Sequence, residues 1–108
     1  MENSRIEQIK KFLTQTPDDT FLNYALAIEF VAVSKNEEAM KIFQKLIKNN
    51  PEYSATYYQF GKLLLKENDR QGAIKIFEDG ILIARKNNEH HAASELQAAL
   101  NEVLFDEE

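Results

Sequence analysis

The sequence predicts an all-α protein with about six antiparallel helices stacked into an α-α superhelix. Glycine and proline are scarce, with three and two residues among 108, and most of the charged and aliphatic residues favour helix. Apolar residues recur every three or four positions along most of the chain, which is the period of an amphipathic helix. Several residues also recur after 34 positions, in the pairs Pro17 and Pro51, Ala39 and Ala73, and Phe43 and Phe77. A repeat of that length predicts stacked helix pairs.

The composition is typical of one soluble globular domain spanning residues 1–108. Hydrophobic residues make up 44% and charged residues 29% of the chain, which is enough to form a core. The net charge of −5 and the mixing of lysines with acids argue against a nucleic-acid partner. No apolar run approaches the ~18 residues that a membrane span needs, and the N-terminus lacks a signal-peptide pattern. We therefore expect a cytoplasmic protein that binds neither nucleic acid nor membrane.

The first three helices are predicted over residues 4–15, 19–33 and 37–49. Ser4, with Glu7 three positions later, fits a capping box, which marks a helix start. Pro17 ends the first helix because the residue before a proline is displaced from helical backbone angles. Asp19 then suits the start of the second helix as a capping carboxylate. The second helix is apolar almost all round and must therefore be covered on two sides.

The last three helices are predicted over residues 53–67, 70–86 and 89–104. Pro51 separates the third helix from the fourth, and Asn68-Asp69 forms the turn before the fifth. Gly80 lies inside the fifth helix, where glycine costs about 1 kcal/mol relative to alanine, so it predicts a close helix crossing. The last helix is amphipathic and is followed by an acidic C-terminal end.

The repeated positions form a recognisable helix–turn–helix pattern. Residues 54–87 carry, in order, Tyr57, Phe60, Gly61, Leu64, Ala73, Phe77 and Gly80. This pattern resembles the tetratricopeptide repeat, whose 34-residue unit places an aromatic residue, Leu-Gly, small residues and a Phe at fixed offsets. Residues 20–53 match the same pattern with Leu26, Ala27, Phe30, Ala39, Phe43, Leu46 and Pro51. They depart from it at Asn23, where the family prefers an aromatic residue.

The resemblance implies a right-handed solenoid within the single domain. Residues 4–16 look like the second helix of a degenerate repeat, residues 20–53 are repeat one, and residues 54–87 are repeat two. Residues 88–104 look like a capping helix that lacks the motif. Two full repeats fall short of the three that such a stack usually needs, so the terminal helices are expected to supply the missing layers.

The resemblance also implies a non-catalytic scaffold or adaptor that binds a protein partner. In this family the first helix of each pair builds a concave face that receives a peptide or a partner helix. The candidate binding residues are Phe21, Tyr24, Ile28 and Val31 in repeat one, and Tyr58, Gln59, Lys62, Leu65 and Lys66 in repeat two. Alternatively, the terminal helices or a second copy of the chain cover the apolar half, and a homodimer completes a longer solenoid.

One subset of the family grips a C-terminal carboxylate through basic and amide side chains on these helices. Tyr24, Ala25 and Ile28 occupy the first-repeat positions where that clamp needs polar or basic residues, so carboxylate-clamp binding is not expected. Lys62 and Lys66 are expected to favour an acidic ligand.

No residue pattern predicts catalysis, a cofactor or a metal site. His90 and His91 are adjacent, so on a helix their side chains point about 100° apart and do not share a metal ion. Glu37 and Glu38 lie at a helix start, where carboxylates stabilise the helix itself. The chain has no cysteine, no nucleophile–base signature and no phosphate-binding loop. We therefore expect that the protein is not an enzyme.

Overall fold

The computed structural model describes residues 4–106, and within that range it contains six α-helices and no strand. The helices are α1 (Ser4–Leu13), α2 (Thr20–Ala32), α3 (Asn36–Asn49), α4 (Ala55–Lys66), α5 (Arg70–Lys86) and α6 (His90–Phe105). Each predicted helix is present, and every predicted end lies within two residues of the observed one. The predicted all-α fold of six helices is confirmed.

The chain divides into two compact units, Met1–Asn50 and Pro51–Glu108. In the first unit α1 packs on α2 and α2 packs on α3. In the second unit α4 packs on α5, α5 packs on α6, and α4 also touches α6. The description of residues 1–108 as one domain, with repeat boundaries at 20–53 and 54–87, stays a prediction.

Two aspartates begin the helices that the sequence assigned to them. The Asp19 carboxylate accepts a hydrogen bond at 2.8 Å from the backbone N–H of Leu22 at the start of α2. The Asp69 carboxylate accepts one at 2.9 Å from the N–H of Gly72 at the start of α5. Each bond satisfies a backbone donor that has no partner within the helix. The turn residues therefore fix where α2 and α5 begin.

Three helices end in the same way, each with a residue in left-handed backbone conformation. These residues are Ser34, Asn68 and Asn88, with φ angles of 62°, 64° and 61°. In each case the N–H of the next residue donates at 2.8 Å to the carbonyl oxygen five positions back, which is the six-to-one bond of a Schellman motif. Ser34 and Asn68 are 34 positions apart, so the repeat extends to the turn geometry.

The repeated small and aromatic residues form the core of both units. Ala39 and Phe43 of the first unit and Ala73 and Phe77 of the second are all 0% exposed. Gly61 faces the Phe77 ring, and a Cβ atom built on Gly61 would overlap that ring. The small residues thus allow the close helix approach that buries the two phenylalanines.

Tyr57 ties the start of α4 to the segment before it. Its hydroxyl donates a hydrogen bond at 2.7 Å to the Pro51 carbonyl oxygen, and the side chain is buried. Burial raises the pKa of Tyr57 above its ordinary value of 10.0, and the carboxylates of Asp79 and Glu52 add to the shift. The hydroxyl therefore stays protonated at neutral pH and serves as a donor.

Gly80→Ala is expected to lower the free energy of unfolding, although alanine normally favours helix. A Cβ atom on Gly80 would lie 2.5 Å from the Cβ of Tyr57, an atom that moves only with the α4 backbone. The better helix propensity contributes up to about 1 kcal/mol, and overpacking a tight core costs about 1–3 kcal/mol. We expect a net loss of about 1 kcal/mol in urea unfolding.

Gln71→Ala is the matched control because Gln71 is exposed on the same helix. It should leave the free energy of unfolding unchanged or slightly higher. A Gly80→Ala protein as stable as the control would contradict the close crossing of α4 and α5.

Candidate functional site

An open groove lies between α4 and α6 in the second unit, and α5 forms its floor. Its volume is about 280 Å³. The lining residues are Tyr58, Lys62 and Leu65 from α4, Phe77 from α5, and Glu95, Ala98, Ala99 and Glu102 from α6. The groove combines an apolar floor with charged groups along both walls, which is the composition of many binding surfaces.

A second cavity of about 340 Å³ extends this groove towards the C-terminal ends of α4 and α6. The two cavities share Leu65 and Glu102. The extension adds Asn68, Arg70, Val103 and Asp106 to the lining. We refer to the two cavities together as the α4–α6 groove.

Polar contacts hold α6 at both ends and fix it as one wall of the groove. At its start, the Ser54 hydroxyl donates to the Glu89 carboxylate at 2.5 Å, and the Asn87 side-chain amide donates to the Glu52 carbonyl at 3.0 Å. At its end, the Arg70 guanidinium donates to the Val103 carbonyl at 3.1 Å. Because Ser54 precedes α4 and Arg70 follows it, α6 runs parallel to α4.

The charged side chains of the groove differ in how they are paired. The Lys62 ammonium lies 5.3 Å from the centroid of the Tyr58 ring, within the range of a cation–π contact. The Glu95 carboxylate lies 3.3 Å from Nε2 of His91, whose side chain is highly exposed. Within residues 4–106, no cationic side chain forms an ion pair with Glu102.

Three of the five candidate residues predicted on α4 meet in the groove. Tyr58, Lys62 and Leu65 line it, while Gln59 and Lys66 lie on α4 outside the lining of both cavities. Gln59 is half-buried and Lys66 is exposed.

The sequence does not predict the α6 wall, because α6 lacks the repeat motif. The sequence does place Glu95, Ala98, Ala99 and Glu102 on one face of a helix, because each alanine lies three or four residues from both glutamates. The adjacent face, about 100° round the helix, carries the buried Leu96, Leu100 and Val103. Helix α6 thus forms one wall of the α4–α6 groove.

The candidate residues predicted in the first unit form a stripe along α2. Phe21 is 64% exposed, and Tyr24, Ile28 and Val31 are half-buried. Helix α1 contacts neighbouring positions of α2, where the Arg5 guanidinium lies 3.2 Å from the Glu29 carboxylate.

The first unit also has a cavity of about 300 Å³, at the start of α2 and the end of α3. It is lined by Asp18, Asn23, Ile42, Lys45, Leu46, Asn49 and Asn50, and it contains none of the predicted binding residues.

Asn23, where the sequence departs from the repeat motif, forms hydrogen bonds to the turn before α2. Its side-chain amide donates to the carbonyl oxygens of Pro17 at 3.0 Å and Asp19 at 2.9 Å, which ties α2 to the preceding turn.

Across residues 4–106, no three His, Cys, Asp or Glu side chains are grouped so that they could hold a metal ion. In the same range, no helix combines the length and the apolar character needed to cross a membrane.

Comparison with known proteins identifies the family. A family model of the tetratricopeptide repeat matches residues 30–100. The chain belongs to the tetratricopeptide repeat family. Tetratricopeptide repeat proteins are in general non-catalytic modules for protein–protein interaction.

Individual relatives match this chain over most of their length. A TPR repeat-containing protein of Pseudomonas aeruginosa is 26% identical over 98 residues, which cover 91% of this chain and 93% of that protein. The solution structure of a tetratricopeptide repeat domain protein from Salinibacter ruber matches with a TM-score of 0.78 and 34% identity, covering 81% of this chain and 88% of that one. A protein from Bordetella parapertussis matches in fold with a TM-score of 0.84 and 24% identity, covering 98% and 91%.

Arg70→Ala is expected to loosen the C-terminal end of α6, because it removes the hydrogen bond to the Val103 carbonyl. A lost hydrogen bond of about 1 kcal/mol corresponds to roughly fivefold faster opening. The backbone amides of Leu100 and Val103 should therefore exchange faster with deuterium. Arg85→Ala, at an exposed site on α5, should leave these rates unchanged. Equal rates in the two variants would show that Arg70 does not fix this wall.

Proposed function

We propose that the protein is a non-catalytic protein–protein interaction module that binds a peptide or a partner helix in the α4–α6 groove. The observation that carries the proposal is an open groove with an apolar floor, set between one helix of the repeat motif and a second helix held at both ends. Such a wall needs little reorganisation when a ligand binds, and a preorganised site loses less free energy on association.

Each α4 residue has a distinct proposed role. Tyr58 and Leu65 supply apolar contact area, and the Tyr58 hydroxyl can also reach a polar group of the ligand. Lys62, held over the Tyr58 ring, orients a ligand by its charge. Gln59 and Lys66 are proposed as contacts at the edge of the surface, since both lie on α4 outside the groove lining.

The α2 stripe is proposed as a second contact surface, carried by the first unit. Phe21, Tyr24, Ile28 and Val31 present an apolar strip along α2, in which Phe21 is exposed and the other three are half-buried. A contiguous apolar patch on the surface of a protein often marks an interaction site.

Filling the groove should weaken peptide binding strongly without unfolding the protein. Ala98 lines the groove and is exposed, so Ala98→Trp adds a large ring inside the groove. Peptides would be selected from a displayed random library on the purified full chain and then measured by fluorescence anisotropy. We expect Ala98→Trp to weaken the selected peptides by roughly tenfold or more, as for a residue at the centre of an interface.

Glu78→Trp provides the matched control, because Glu78 is exposed on α5 outside the groove lining. It should bind the same peptides with unchanged affinity, and circular dichroism should show that both variants are folded. Selected peptides that bind Ala98→Trp as well as the wild type would refute the groove as the binding site. Tyr24→Glu in the same assay tests the contribution of the α2 stripe.

A second candidate function, self-association, is supported by exposed large apolar side chains. These are Phe12 and Phe21 in the first unit, and Leu82, Leu104 and Phe105 in the second. Phe105 is 75% exposed and Leu82 is 66% exposed. We propose a homodimer that completes a longer solenoid as the alternative to a separate partner protein.

Light scattering on a sizing column decides between the two candidates. The self-association proposal expects a mass near twice that of the 12.5 kDa chain, and a shift towards the monomer when Phe105 and Leu82 are changed to serine. A monomer at high micromolar concentration would exclude this alternative and leave the groove proposal unaffected.

A further inference from the structure

The charges on the walls of the α4–α6 groove indicate the chemistry of its ligand. We propose that the groove binds a basic amphipathic helix, with Lys or Arg at positions i and i+7 and an apolar residue between them. This inference rests on the proposed function and adds the class of partner.

The α6 wall sets the spacing of the two basic positions. Glu95 and Glu102 are seven residues apart on one face of α6, so their Cα atoms are separated by about 10.5 Å along the helix axis. Ala98 and Ala99 lie between them and are small. A partner helix lying along this wall would place residues i and i+7 opposite the two carboxylates, because helices share the same rise per residue.

The balance of charge in the groove favours a cationic partner. Three carboxylates line the two cavities, from Glu95, Glu102 and Asp106, against the two cationic groups of Lys62 and Arg70. Both cationic groups are already engaged inside the unit. Lys62 lies over the Tyr58 ring, and the Arg70 guanidinium donates to the Val103 carbonyl.

The carboxylates are less fully compensated than the cations. Glu102 has no ion-pair partner within residues 4–106, and the contact of Glu95 is with His91, which carries a charge only when it is protonated. Opposite charges across a binding surface select the partner and speed its association. The groove therefore discriminates in favour of a ligand that carries positive charge.

The apolar part of the ligand is set by the space above the floor. Ala98 and Ala99 leave room that larger side chains would fill, and the half-buried Leu65 provides an apolar surface on the facing wall. A Leu, Ile or Met at position i+3 or i+4 of the partner helix fits this space. Lys62 and Lys66 taken alone would favour an acidic ligand. However, Lys66 lies outside the groove lining, and the acids of α6 lie within it.

Selection of peptides on the intact chain tests this inference. A displayed random-peptide library would be selected in parallel on the wild type, on Glu102→Lys and on Glu78→Lys. Glu78 is the matched control, since it is an exposed helical glutamate on α5. We expect the wild type and Glu78→Lys to enrich peptides with Lys or Arg seven positions apart. Glu102→Lys should bind those peptides roughly tenfold more weakly, because an attraction becomes a repulsion.

The Ala98→Trp variant separates failure of this inference from failure of the proposed function. If the selected peptides are blocked by Ala98→Trp but are acidic or neutral, or bind Glu102→Lys and Glu78→Lys equally, the groove binds peptides and the basic-partner inference is wrong. If no selected peptide is sensitive to Ala98→Trp, the groove is not a peptide site, and both proposals fail.

Discussion

The close contact at Gly80 is the constraint on which the second unit depends. A Cβ atom at this position would lie 2.5 Å from the Cβ of Tyr57 on α4 and 3.2 Å from Cδ1 of Leu96 on α6. One glycine of α5 therefore sets the distance from α5 to both neighbouring helices. Since the walls of the groove are α4 and α6, the width of the groove follows from this packing. The loss of helix propensity at Gly80, about 1 kcal/mol, is offset by the burial that the close approach allows.

Two kinds of interaction hold α6 against the rest of the unit, and they differ in magnitude. Burial of an apolar side chain such as Leu96, Leu100 or Val103 contributes about 1.5–3 kcal/mol each. The polar contacts at its ends, such as Ser54 with Glu89, contribute about 0.5–1.5 kcal/mol each. Burial thus attaches the helix. The polar contacts fix its position along its own axis, which brings Glu102 beside Leu65 in the groove.

The sequence alone predicted the fold well, and it predicted half of the groove. The recurrence of residues such as Ala73 and Phe77 predicts the buried positions, and turn residues such as Pro17 and Asp69 predict the helix ends. Tyr58, Lys62 and Leu65 were predicted because they share one face of a helix in the motif. The α6 wall was not predicted, because the alignment of α6 with α4 depends on contacts between residues distant in sequence, such as Arg70 with Val103.

Some positions of the repeat maintain the fold, and others give each surface its chemistry. Residues at equivalent positions of the two repeats show which positions are which. Phe43 and Phe77 occupy the same repeat position, and both are fully buried. On the first helix of each repeat, 34 positions apart, Ile28 of α2 corresponds to Lys62 of α4. Packing tolerates this change because neither side chain is in the core. The same fold position is therefore apolar in one unit and charged in the other, so a ligand selected by charge in the α4–α6 groove would not be selected by the α2 stripe.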